Sequence, residues 1–156
     1  MRMAGAALLV IALVSSAASA HTDKTAAEIR AMLDAGGDIL VVDMREASEF
    51  CDSTYHPPGH IIGAVNMPWN SGYLQAYHGE LDPNLTTIVV CRSGGRSNAA
   101  ANFLDGVGFT AVFDMLGGMN AWLWQTQGCY TASVPGPEAV VKFPPFSGQV
   151  VKPRFW

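Results

Sequence analysis

The chain has 156 residues, 49% of them hydrophobic, and a formal charge of −4. That length suits a single domain with one sizeable core. The acidic balance argues against a general nucleic-acid binder, and no apolar run is long enough to cross a bilayer as a helix.

Residues 1–20 have the three parts of a secretory leader: Arg2 as a basic start, an apolar run from about Ala4 to Val14, and Ser15 to Ala20 ending A-S-A. The expected signal peptide leaves a mature chain of 136 residues, with eight basic against thirteen acidic side chains. No cysteine follows the cleavage point, so no lipid anchor and no membrane span are expected after cleavage. The destination is periplasmic or secreted, an oxidising compartment.

Thr25-Ala26-Ala27-Glu28 has the capping-box pattern, and Ile29, Met32 and Leu33 continue it as a helical stripe ending at Gly36-Gly37. Ile39 to Val42 and Ala64 to Met67 read as buried strands, the second stopped by Pro68. Two more strands follow, at Thr87 to Val90 and Ala111 to Met115. Helices are expected at about Gly72 to His78, Ser97 to Gly106 and Met119 to Gln127. Alternating strands and helices imply a parallel sheet of four to five strands covered on both faces, a three-layer α/β/α domain over 21–129. Residues 130–156 form a Pro- and Gly-rich tail. Its apolar residues, among them Val140, Phe143, Phe146 and Trp156, suggest that part of it packs on the domain, in place of an edge strand.

The chemistry concentrates where the third of these strands ends. Cys91-Arg92-Ser93-Gly94-Gly95-Arg96-Ser97 runs from strand to helix, so the cysteine stands at a strand's carboxyl end facing a helix N-terminus. Loop amides, the helix dipole and two arginines all favour a thiolate. Gly94 and Gly95 let the chain turn so that amides converge. Arg96 is expected to hold an anionic substrate, or to anchor Asp43 or Glu49; Arg92 attracts anions or serves solubility. Asp43 and Arg45 read as a structural ion pair. Trp69, Tyr73 and Tyr77 line a pocket mouth or fill the core, while Trp122 and Trp124 read as helix and core residues.

Three cysteines leave at least one unpaired or paired between chains, and Cys91 has the reason to stay free. Cys51 and Cys129 form a disulfide, remain two isolated thiols, or supply a resolving thiol for Cys91. His56 and His60 lie near Cys51, but the two prolines between the histidines break helical register, so no metal site is expected.

The loop resembles that of the rhodanese family of sulfurtransferases, in which the cysteine opens a six-residue loop. Phosphatases of related architecture use C-x5-R to cradle phosphate, whereas this chain has C-x4-R. The resemblance extends over about Thr25 to Gln127. It includes Asp43-Met44-Arg45 with Glu49-Phe50, Gly59-His60-Ile61-Ile62-Gly63-Ala64, and Gly117-Gly118-Met119-Asn120-Ala121-Trp122. Two departures stand out: an insertion, Cys51 to Pro58, and an N-terminus so close to the first helix that the family's short initial strand is expected to be missing. The resemblance implies that Cys91 carries sulfur as a persulfide, without a cofactor, from a small anionic donor such as thiosulfate to a thiol or cyanide. Arg92, Ser93, Gly94, Gly95, Arg96 and Ser97 would bind substrate. A persulfide carrier, a redox or binding module, and a phosphatase or arsenate reductase are the alternatives.

Overall fold

A computed structural model describes residues 20–129, apart from 53 and 55–57. The leader up to residue 19, the tail over 130–156 with its expected packing, and His56 lie outside the described residues.

Strand β1 (Thr22–Lys24) leads into α1 (Ala26–Ala35), where Thr25 and Glu28 form the capping box reciprocally. Strand β2 (Ile39–Asp43) is buried throughout and followed by the short helix α2 (Ala47–Phe50). After β3 (His60–Ile61) and β4 (Val65–Asn66) come α3 (Tyr73–Tyr77) and a single 3-10 turn (His78–Glu80). Strand β5 (Thr86–Val90), helix α4 (Gly95–Gly106) and strand β6 (Val112–Met115) complete the main body.

The main sheet has the order β1-β6-β5-β2-β4, and every pairing in it is parallel. Strand side chains alternate between its faces. Leu40, Val42, Val89 and Val112 meet Ala100, Ala101 and Leu104 of α4 and Leu74 of α3. On the other face, Val41, Ile88 and Val90 meet Ala26, Ile29 and Leu33 of α1. Helices on both faces give the expected three-layer α/β/α arrangement. Val107, just past the end of α4, is exposed.

Two expectations are corrected. The initial strand is present: Thr22, Asp23 and Lys24 pair with Phe113, Asp114 and Met115, so β1 occupies the edge that the tail was expected to fill. Three residues suffice because β6 supplies the ladder. The helix expected over 119–127 is absent. A 3-10 turn (Gly118–Ala121) gives way to extended chain at Trp122 and to β7 (Thr126–Gln127), which pairs antiparallel with β3. The Met119 and Asn120 amides donate to the Cys91 and Arg92 carbonyls, and further on Thr126 and Gln127 pair with β3 in place of a helix. Trp122 is buried as expected, with Trp124 against it.

Beside the β3/β7 pair, Cys51 and Cys129 form a disulfide, with Cα atoms 5.0 Å apart. It closes the inserted segment onto the end of the domain. A backbone bond from Gly59 to Asp52, 2.8 Å long, closes the insertion's base. Among the described residues, no helix is long and apolar enough to cross a membrane.

Candidate active site

Alternation along β5 turns Val89 and Cys91 toward α4 and Ile88 and Val90 toward α1. Cys91 therefore ends the strand with its sulfur under the start of α4. Gly94, at φ 106°, caps that helix in a conformation that glycine tolerates, and its amide donates to Cys91 Sγ at 3.1 Å. The Ser97 hydroxyl lies 3.5 Å from the same sulfur and 3.1 Å from the Gly94 carbonyl.

Burial pushes the Cys91 thiol up, but the Ser97 hydroxyl and the amides of Ser97, Ser93 and Gly94 outweigh it, so the thiol ionises below its ordinary range. Cys91 is the free cysteine of the described residues and is 1% exposed. Arg92, Ser93 and Gly95 around it are exposed.

A second layer fixes this loop from behind. The Met119 amide donates to the Cys91 carbonyl at 2.7 Å and the Asn120 amide to Arg92 at 2.9 Å. Gly118 makes this approach possible: a Cβ there would stand 2.4 Å from the Cys91 carbonyl oxygen. The G-G-x-x-x-W segment was visible in the sequence, yet its part in holding the cysteine loop was not, because the contact is made by backbone atoms.

Of the loop residues expected to bind substrate, Ser93, Gly94 and Ser97 donate to the Cys91 sulfur. Arg96, the alternative anchor, has a definite partner: its Nη1 and Nη2 donate to the two carboxylate oxygens of Glu49, the latter at 2.8 Å. The pairing holds the Glu49 carboxyl below its usual range and raises Arg96 further. Gly95 begins α4 with ordinary backbone and open space around its Cα, so only Gly94 of the glycine pair needs its special conformation.

Asp43 and Arg45 form the structural pair, buried and 2.7 Å apart, and Arg45 also donates to the Gly59 carbonyl at 2.8 Å. His60 stacks on Phe50 with its Nδ1 3.1 Å from the Phe50 carbonyl; burial lowers its pKa. Trp69 and Tyr73 pack on the core, while Tyr77 is exposed.

A parallel α/β domain with a thiolate-stabilising loop at the carboxyl end of a central strand thus defines the class. The rhodanese-like domain model matches residues 25–124, and the chain belongs to that family. A thiosulfate sulfurtransferase of Shewanella oneidensis, GlpE, is 34% identical over 84 residues, covering 54% of this chain and 75% of that one. YrkF of Bacillus subtilis, named as a sulfur carrier protein, is 30% identical over 95 residues, 61% of this chain and 47% of that one. A rhodanese-related protein of Thermoplasma volcanium, solved by crystallography, aligns with a TM-score of 0.55 at 26% identity, covering 65% of this chain and 90% of that one. These relatives support rhodanese-type sulfur transfer as the chain's general chemistry.

Proposed function

We propose that the protein moves a sulfane sulfur from a thiosulfate-like donor to a thiol or cyanide through a persulfide on Cys91, in two half-reactions. The Cys91 thiolate attacks the outer sulfur of thiosulfate; the S–S bond of the donor breaks, sulfite leaves with its electron pair, and Cys91 holds a persulfide anion. Cyanide then takes the outer sulfur as thiocyanate and restores the thiolate. No proton moves, so neither step needs a general base.

The observation that carries this reading is the sulfur of Cys91 under the Gly94 amide and the Ser97 hydroxyl, in a C-x4-R loop. Fixed donors stabilise sulfur-centred charge without reorganising during reaction. Arg92 and Ser93 stand at the exposed mouth, where an anionic donor would arrive. The leader-like pattern over residues 1–20 supports a setting in the periplasm or outside the cell.

A second reading is favoured by one feature. Glu49 already holds both terminal nitrogens of Arg96, which leaves less positive potential for a doubly charged donor. A carrier loaded with sulfur by a partner protein would not need that potential.

Intact mass of the mature protein before and after thiosulfate decides, with Cys91→Ser as control. The reading predicts a gain of one sulfur atom, absent in the variant and reversed by cyanide. No gain from thiosulfate would overturn the thiosulfate reading and favour the partner-loaded carrier.

A further inference from the structure

Away from Cys91, the first strand builds a second cluster of chemistry-bearing groups. Asp23 of β1 pairs in register with Asp114 of β6, so the two carboxylates share one face of the sheet. His21, two residues before Asp23 along extended chain, falls on the same side. Ligand atoms of His21, Asp23 and Asp114 all lie within 4.8 Å of one another. Helix α4 covers this face and places Asp105 Oδ2 3.3 Å from His21 Nδ1.

We propose that His21, Asp23 and Asp114 bind one divalent transition-metal ion of the kind that takes mixed imidazole and carboxylate ligands, zinc(II) or copper(II). The acidic grouping is only part of the argument. Asp114 is 1% exposed, yet its Oδ1 has no hydrogen-bond partner, while Asp105 faces His21 Nδ1 at 3.3 Å and leaves Nε2, 3.5 Å from Asp23 Oδ1, turned toward the cluster. Buried polar atoms are costly to leave unsatisfied, and a cation in this cluster satisfies donors of both types. Three carboxylates, counting Asp105, face one imidazole, so the local charge favours a cation. The imidazole selects against calcium and magnesium, and the carboxylates against soft copper(I). Asp23 is about half exposed and gives the ion a way in from solvent.

The expectation of no metal concerned His56 and His60; His21 and Asp23 stand far from Asp114 along the chain and meet it only through the β1/β6 pairing.

The test is calorimetric titration of the metal-stripped chain beginning at His21 with zinc chloride and, separately, copper(II) chloride. Cys91→Ser is the background, since its thiol would also take these metals. The proposal predicts one equivalent bound with a dissociation constant of about 10 µM or tighter, unaffected by calcium. His21→Ala and the exposed Asp23→Ala should each weaken it at least about tenfold. Nitrogen hyperfine coupling in the copper spectrum should be reduced in His21→Ala. Asp23→Ala keeps the test decisive if the buried Asp114→Asn fails to fold. No saturable equivalent tighter than about 100 µM, equal competition by calcium, or affinity indifferent to both variants would overturn the site.

Discussion

Removing the Cys51–Cys129 disulfide by a C51A/C129A double substitution should cost stability while sparing the chemistry of Cys91. The bridge joins residues 78 apart in sequence, so the chain-entropy model gives a loss of about 4–5 kcal/mol on opening it. Relaxation of the native state usually reduces such values, and about 2–4 kcal/mol corresponds to a fall in Tm of roughly 8–16 °C for a domain of this size. The double variant is needed because one remaining cysteine could pair with Cys91. Thermal unfolding followed by circular dichroism, with and without reductant, measures the loss. Wild type should fall with reductant to near the variant, and the variant should not respond. Persulfide formation should survive, because the donors to Cys91 Sγ come from Gly94 and Ser97, not from the bridged segment. A fall in Tm below about 3 °C would refute the reasoning, and so would three titratable thiols in the unfolded, unreduced wild type.

Gly118→Ala forces a Cβ to within 2.4 Å of the Cys91 carbonyl oxygen and should destabilise the domain by at least about 2 kcal/mol, with lower sulfur transfer, measured by urea unfolding and turnover. Ser97→Ala removes a donor to the Cys91 sulfur. The pH midpoint of Cys91 alkylation, below the ordinary thiol value of 9.0 in wild type, should move upward, and an unmoved midpoint would deny Ser97 its role. Glu49 has a folded pKa below its unfolded value of 4.5, so its pairing with Arg96 stabilises above that value and is lost as pH falls through the folded pKa. Glu49→Gln should therefore flatten the acid limb of stability below about pH 5, read as the urea midpoint against pH. It should also lower the thiosulfate KM by releasing Arg96 to the donor.

Much of the fold was legible because its signals are local. The Thr25–Glu28 capping box and the unbroken apolar runs of β2 and β5 are read from a few adjacent residues, and so is the strand-to-helix passage at Cys91. The segment after Gly118 misled because its apolar residues suit a helix, while Thr126 and Gln127 pair with β3, more than sixty residues earlier in the chain. The initial strand was missed because three residues carry little periodicity, and only β6 makes them a strand.

For the site, sequence alone located Cys91 and its loop, since Cys91, Gly94 and Ser97 are close along the chain and their geometry follows from one turn entering one helix. Tertiary structure decided what lies across the chain. It chose Glu49 over Asp43 as the partner of Arg96, joined Cys51 to Cys129, and laid Gly118 against the Cys91 carbonyl. It also brought His21 and Asp23 beside Asp114. Each depends on strand order and register, which set distances between residues far apart in sequence and which no local pattern encodes.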